Sequence, residues 1–242
     1  MKIKKIVGFG DSWIYGDELL DPILAKTNPD AHFSCVQNTD YREKHCFLGL
    51  LAEHYSLPFE NYGRPGGSLQ SAIWTFLYWL RHEPNPGECL VLHGLTEAER
   101  FTMYDANKKL ADSDPKWNKF VHSTWIRYGS DSIPDVLSDV GKNLIAYSTC
   151  EELSMYNYEQ ALHLFDGTSA RLNIPMLQFH VSPPPSPVEV PTLIWPERNY
   201  CNWIVRHLEK EKITAPGGHP NEIGHQMIKD QLIPEIDRVI LA

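Results

Sequence analysis

Ser12 is the first residue whose type and position suggest chemistry, because it lies in the tripeptide Gly10-Asp11-Ser12 directly after a short apolar stretch. A serine hydroxyl becomes a nucleophile only when a base removes its proton and nearby dipoles stabilise the oxyanion that forms. A serine that follows a strand and begins a helical turn has its hydroxyl at the end of that strand, beside backbone N–H groups that have no helical partner. The alternative is structural, since serine is also a common helix N-cap.

Alternating strand and helix patterns predict the framework that would position Ser12. Apolar stretches of strand length occupy residues 2–10, 58–62, 88–95 and 175–181. Helical spacing of apolar residues predicts helices over residues 41–55, 69–81, 140–172, 199–210 and from 221 onward. Ser68 is expected to cap the second helix, and Gly167 to kink or break the third. Strands that alternate with helices imply a flavodoxin-like three-layer α/β/α sandwich with a parallel sheet.

Three polar turns follow strands of this predicted sheet. They are the Ser12 turn, the glycine-rich turn at residues 63–67, and the segment Gly94-Leu95-Thr96. Because the carboxyl ends of parallel strands lie along one edge, we expect these turns to converge. Residues 98–140 interrupt the pattern and are expected to form an inserted excursion within a single domain spanning residues 1–242, and the proline-rich segment 183–196 should be an irregular loop.

Composition and charge exclude several classes of function. The net charge of -9 argues against a nucleic-acid partner, because phosphate binding depends on Lys and Arg. The five cysteines include no CxxC pair, so neither a disulfide framework nor a metal site is expected. No apolar run approaches the roughly 20 residues of a membrane span, and the N-terminal apolar stretch is too short for a signal peptide. We therefore expect a cytoplasmic protein with no membrane partner.

Three sequence blocks together resemble the SGNH (GDSL-like) hydrolase family. VGFGDSWIYGDEL at residues 7–19 resembles the first block, NYGRPGGS at 61–68 the second, and His219-Pro220-Asn221 the last. The resemblance implies the SGNH hydrolase fold, with Ser12 as nucleophile and His219 as general base. It also implies an oxyanion hole that includes the Ser12 and Gly66 backbone N–H groups, with Gly67 as the second choice for the glycine. The first two blocks also resemble those of phage-encoded members of the family, and a phage-encoded protein would be expected in the virion as an alternative to the cytoplasm.

Two positions depart from the family pattern. Thr96 stands where the third block carries an oxyanion asparagine, and we expect its hydroxyl to donate in place of that amide. Pro216 stands where the family has the acid that orients the histidine. His219 must then be oriented by a backbone carbonyl, a water or a carboxylate such as Glu97 from another loop. The alternative for Glu97 is a local ion pair with Arg100.

Other candidate residues have structural interpretations. His225 lies six residues after His219, so the two do not have the i, i+4 spacing of a metal-binding pair on one helix. A surface or capping role is expected for His225. His180 ends a predicted strand and is expected to be a satisfied core histidine, although it would border the site. Asp17 and Glu18 are interpreted as cap or turn residues rather than catalytic acids. The glycine-rich turn lacks the Lys-Ser/Thr of a nucleotide-binding loop. Aromatic residues that would either wall a substrate groove or pack in the core are Tyr104, Trp117, Trp125, Tyr128 and Trp195.

These observations lead to three hypotheses. The first is a serine ester hydrolase that acts on a small-molecule or carbohydrate ester, such as an O-acetyl group, without a metal or cofactor and with weak activity. The second is a protein of the same fold that has lost catalysis and serves as a carbohydrate-binding or structural component, for example of a virion. The third is a flavodoxin-like small-molecule binder without a nucleophile, in which His219 would lie far from Ser12.

Overall fold

The structure is a computed structural model that describes residues 2–98, 100–102, 123–124, 151–185, 187–206 and 210–241. Most of the predicted excursion at residues 98–140 lies outside this part of the chain, as does the beginning of the helix predicted over 140–172. The aromatic candidates Tyr104, Trp117, Trp125 and Tyr128 lie outside it as well.

Four parallel strands form the central sheet, in the order β2-β1-β3-β6. The strands along the chain are β1 (Lys5–Gly10), β2 (Phe59–Gly63), β3 (Cys89–Leu95), β4 (Phe101–Thr102), β5 (Ser123–Thr124) and β6 (Met176–His180). β4 and β5 pair separately as a short antiparallel ladder. The four predicted strands are thus all present, and their parallel pairing confirms the predicted α/β class.

Nine helices in the described residues surround the sheet. They are α1 (Ser12–Tyr15), α2 (Pro22–Thr27), α3 (Thr39–His45), α4 (Phe47–Tyr55), α5 (Leu69–His82), α6 (Glu151–Leu172), α7 (Tyr200–Arg206), α8 (Lys210–Ile213) and α9 (Glu222–Leu241). The helix predicted over residues 41–55 is two helices, because Cys46 is extended (φ -70°, ψ 156°). The break predicted near Gly167 is wrong: α6 continues through it, since one glycine costs a helix only about 1 kcal/mol.

The alternation of side chains along each strand explains the two covering layers. Ile6 and Leu92 face a core formed with α4, α7 and α9, whereas Val7 and Phe9 face a core formed with α5 and α6. Every residue of β3 is buried, as a central strand with helices on both faces requires. The sequence pattern therefore produces the predicted three layers.

The carboxyl ends of β1 and β2 are held against α1 by short contacts. Gly10 is paired with Gly63 in the parallel register. A Cβ atom on Gly63 would lie 2.3 Å from the Tyr15 nitrogen, so only glycine allows α1 to pack this closely on β2. Asn61 strengthens the contact, because its Nδ2 donates to the Ile14 carbonyl at 2.8 Å. The first helical turn is thereby fixed on the sheet edge.

The loop after β2 leads directly into a capped helix. Ser68 and Ser71 form a reciprocal capping box at the start of α5, so the predicted cap is confirmed.

Among the described residues, every helix is too short or too polar to cross a bilayer.

Candidate active site

Asp11, rather than Ser12, caps the first helix. An Asp11 carboxylate oxygen accepts a hydrogen bond from the Trp13 backbone N–H at 3.0 Å, and Gly16 ends the turn in a left-handed conformation (φ 82°). Ser12 is the first residue of α1 and is 3% exposed. Because the capping function belongs to its neighbour, the Ser12 hydroxyl is available for a different partner.

That partner is His219, which lies at the far end of the chain. The Ser12 Oγ is 2.9 Å from the His219 Nε2, within hydrogen-bond distance. The imidazole is about one quarter exposed, with 26% of its side-chain surface accessible. The structure thus brings together Ser12 and His219, the two residues predicted from the sequence blocks, and the imidazole remains accessible from solvent.

Glu18 contacts the other side of the His219 ring. Its Oε2 lies 2.8 Å from the His219 Nδ1 and also accepts the His219 backbone N–H at 3.1 Å. The second oxygen, Oε1, accepts the Gly217 backbone N–H at 2.7 Å. The interpretation of Glu18 as only a turn residue was therefore incomplete, because the turn delivers its carboxylate to the imidazole.

The ionisation of Glu18 fixes the histidine tautomer. Partial burial alone would raise the pKa of Glu18, but hydrogen bonds from the His219 ring and from the backbone of His219 and Gly217 lower it overall. An ionised carboxylate can only accept a hydrogen bond, so Nδ1 carries the proton and the Nε2 lone pair points to the Ser12 hydroxyl. This is the tautomer in which the ring can accept the serine proton.

Glu97 does not occupy the position that the sequence left open for it. Its Oε2 accepts from the Arg100 Nε at 3.3 Å, which is the local ion pair considered as the alternative. The His219 Nε2 contacts Ser12 and the His219 Nδ1 contacts Glu18. The prediction that Glu97 supports the imidazole is therefore corrected: the carboxylate in contact with the ring is that of Glu18. The physical reason is that the loop after α1 folds back onto the loop that carries His219.

Thr96 is also engaged differently from the prediction. Its hydroxyl donates to the Asp11 Oδ2 at 2.8 Å, in a buried environment. A hydroxyl has one proton to donate, so in this arrangement the Thr96 hydroxyl is not available to an oxyanion. It instead supports Asp11, the residue that caps α1.

The two glycines of the second block are distinguished by their hydrogen bonds. The Gly67 backbone N–H donates to the Arg64 carbonyl at 2.9 Å. Gly66 has a left-handed backbone (φ 62°) and is half-buried. Among the described residues, neither the Ser12 N–H nor the Gly66 N–H donates a backbone hydrogen bond. The first-choice glycine is therefore the one whose amide is available.

Asp17 is a second carboxyl close to the site. It is 6% exposed, and within the described residues its Oδ1 has no hydrogen-bond partner. Burial raises the pKa of Asp17 to about 7, with the nearby charges of His219 and Arg42 opposing the rise and those of Asp11 and Glu18 adding to it. Asp17 therefore titrates near neutrality beside the histidine.

The remaining candidates have structural roles. His225 is fully buried, accepts the Phe47 backbone N–H at 3.2 Å and thus caps α4; burial lowers its pKa to about 3. His180 is buried with its Nε2 2.5 Å from the Tyr158 hydroxyl, and burial lowers its pKa to about 4. Trp195 is half-buried against the core, beside Tyr200. Within the described ranges, no group of three or more His, Cys, Asp or Glu side chains has the arrangement of a metal site.

The fold places the chain among α/β proteins with a parallel sheet. The chain has the same fold as LAE5, an alpha/beta hydrolase enzyme from the metagenome of Lake Arreo, Spain. The two chains are 13% identical with a TM-score of 0.51, and the match covers 99% of this chain and 98% of the other. At this identity the likeness concerns the fold alone.

Two further solved structures are similar to the chain. One is the psychrotrophic esterase EstA from Pseudoalteromonas sp., at 12% identity and a TM-score of 0.47, covering 99% of this chain and 100% of that one. The other is a lipolytic protein of the G-D-S-L family from Desulfitobacterium hafniense DCB-2, at 10% identity and a TM-score of 0.41, covering 94% and 96%. No protein-family model matches the chain, and no curated protein matches its sequence.

Proposed function

We propose that this protein is a serine ester hydrolase in which Ser12 is the nucleophile, His219 the general base and Glu18 the carboxylate that orients the base. The observation that carries the proposal is the series of two contacts, 2.9 Å from Ser12 Oγ to His219 Nε2 and 2.8 Å from His219 Nδ1 to Glu18. A nucleophile, a base and a third group that orients the base form the arrangement that activates a serine.

The geometry supports a two-stage acyl transfer. In the first stage the Ser12 oxygen attacks the ester carbonyl while His219 Nε2 takes the hydroxyl proton, and Glu18 stabilises the imidazolium that forms. His219 then gives this proton to the leaving alcohol, and the acyl group remains on Ser12. In the second stage His219 takes a proton from water, the hydroxide attacks the acyl carbonyl, and the proton returns to the Ser12 oxygen as the acid leaves.

Two backbone amides are available for the negative charge of the intermediates. In this proposal the N–H groups of Ser12 and Gly66 donate to the oxyanion, while the Thr96 hydroxyl remains on Asp11. Loss of one donor from an oxyanion hole lowers kcat by about a hundredfold to a thousandfold. We therefore expect slower turnover than in a site with a third, amide side-chain donor.

The proposed substrate is a small neutral ester, such as an O-acetyl group on a carbohydrate. Ser12 is only 3% exposed, and the neighbouring Trp13 and Ile14 are buried, so the acyl carbon must enter a confined space. The net charge of -9 disfavours strongly anionic substrates through long-range repulsion. A short acyl group on an uncharged alcohol satisfies both conditions.

Hydrolysis of 4-nitrophenyl acetate by purified protein tests the proposal. We expect Ser12→Ala and His219→Ala each to lower kcat/KM by at least about a thousandfold. His54→Ala is the matched control, because His54 is exposed on α4 and lies outside the site. Equal rates for the wild type and both site variants would contradict the proposal and favour the inactive alternative, for which retained binding of an acetylated oligosaccharide in calorimetry is the positive sign.

A further inference from the structure

Arg100 connects the two loops that carry the available amides. Its Nη1 lies 3.1 Å from the Asp11 Oδ2 and 3.2 Å from the Gly67 carbonyl oxygen. Asp11 directly precedes Ser12 in the chain, and Gly67 directly follows Gly66. One guanidinium nitrogen therefore contacts the residue before Ser12 and the residue after Gly66, and the Ser12 and Gly66 amides are the two that would face an oxyanion.

The guanidinium is held in a buried and polar environment. The Arg100 side chain is 7% exposed and the Asp11 side chain is 0% exposed. Glu97 contacts the Nε of Arg100 at 3.3 Å, and Thr96 donates to the same Asp11 oxygen as Arg100 does. Burying charges in this way is costly unless each is paired, and the pairing leaves the guanidinium little freedom to move.

A direct backbone contact already joins these loops, and Arg100 adds to it. The Arg64 N–H lies 3.1 Å from the Gly10 carbonyl and 3.2 Å from the Asp11 carbonyl. These bonds hold the beginning of the second loop, whereas Arg100 holds Gly67 at the other end of the same turn. Gly66 lies between the two attachment points, so its amide direction depends on both.

We propose that Arg100 is a positioning residue that sets the separation and direction of the Ser12 and Gly66 amides, and this inference rests on the proposed esterase function. It acts through Asp11 and Gly67 and does not touch the substrate. Pre-oriented donors stabilise a developing oxyanion far better than donors that must reorganise, and a misplacement of about 1 Å can cost a hundredfold in rate. Arg100 should therefore affect kcat rather than KM.

The test compares Arg100→Met with Thr96→Val in 4-nitrophenyl acetate hydrolysis, with thermal unfolding as a check on folding. Both changes remove one donor to the same Asp11 oxygen. Arg100→Met also removes the bond to Gly67 and the ion pair with Glu97, and the second of these contacts lies outside the two amide-bearing loops. We expect kcat to fall about 10- to 100-fold in Arg100→Met with KM within about threefold, and to fall about threefold or less in Thr96→Val. Equal losses in the two variants, or an unchanged kcat in Arg100→Met, would overturn the inference.

Two further measurements keep the outcome decisive. Arg100→Lys retains the charge beside Asp11, so it should fold even where Arg100→Met does not, and its kcat should lie between those of the wild type and Arg100→Met. Amide hydrogen exchange of residues 10–13 and 64–68 reports loop order without any turnover. If the wild type hydrolyses no ester, the proposed function fails, and faster exchange of both segments in the Arg100 variants still supports the positioning role. Unchanged exchange in both segments would refute it.

Discussion

At the scale of single residues, the site depends on which carboxylate meets the imidazole. Glu18 makes three contacts with the His219 loop, through the ring and through the two backbone N–H groups of His219 and Gly217. A carboxylate so placed both fixes the tautomer and stabilises the imidazolium. In the proposed mechanism, Glu18 thus combines an electrostatic effect on His219 with a structural effect on the loop that carries it.

Glu18→Gln separates these two effects. The amide oxygen can still accept a hydrogen bond, but it carries no charge to stabilise the imidazolium. We expect kcat to fall by about a hundredfold to ten-thousandfold with little change in KM, measured by steady-state hydrolysis of a short-chain ester. Asp30→Asn, which makes the same change of charge at an exposed acid, is the control. A Glu18→Gln enzyme with wild-type kcat would exclude the orienting role.

Asp17 gives the folding stability a defined dependence on pH. Burial raises its pKa in the folded protein to about 7 from the ordinary value of 3.8, so the folded state binds more protons than the unfolded state between these values. This contribution to the free energy of unfolding is fully present below pH 3.8 and is lost as the pH rises through about 7. The slope reaches about 1.4 kcal/mol per pH unit.

Urea denaturation of the wild type and Asp17→Asn at several pH values tests this effect. The difference in the free energy of unfolding, variant minus wild type, should increase from pH 4.5 to pH 7 with a slope of at most about 1.4 kcal/mol per pH unit. Above pH 7 this difference should become constant. Glu18 contributes with the opposite sign, since its pKa is lowered, but it is present in both proteins and largely cancels. Parallel pH curves for the two proteins would show that Asp17 does not titrate in this window.

At the scale of elements, the loop after α1 has an unusual backbone geometry and meets the loop that carries His219. Gly16 (φ 82°) and Glu18 (φ 65°) both have left-handed conformations, and together they reverse the chain after α1. A left-handed conformation costs a non-glycine residue about 1–2 kcal/mol. The hydrogen bonds that Glu18 accepts from the His219 loop offset this cost, so strain is retained at a place where it positions a functional group.

Gly217→Ala tests the fit between these loops. A Cβ atom at this position would lie 2.5 Å from Glu18 Oε1, so the carboxylate must move. Because the displaced atoms are the end of a flexible side chain, we expect the fold to be kept with a modest loss of thermal stability from the weakened Glu18 hydrogen bonds, while kcat falls by about tenfold or more. In a Glu18→Ala background, Gly217→Ala should have almost no further effect, since no carboxylate remains to be displaced. An additive loss in the double variant would argue for a different cause.

At the scale of the whole molecule, the sequence predicts the strands and the converging turns better than it predicts the hydrogen-bond partners within the site. The buried strands and the three turns that converge are predictable because strand periodicity and parallel topology place Ser12, Gly66 and Thr96 at one edge. The partner of the imidazole is not predictable, because it depends on left-handed residues after α1 and on how the chain closes between Glu18 and Gly217. Thr96 lies at the predicted edge, but its hydroxyl donates to Asp11, which is 85 positions away in the chain, and sequence spacing does not reveal such a contact.

In the proposed mechanism, folding activates a serine near one end of the chain with a histidine near the other, and covalent labelling measures this activation directly. A fluorophosphonate reacts with a serine only when a base has made it nucleophilic. We predict one label per chain, mapped by peptide mass spectrometry to Ser12, with labelling abolished in His219→Ala and slowed at least about tenfold in Glu18→Gln. A wild-type protein that stays unlabelled, or that is labelled equally in His219→Ala, would contradict the account.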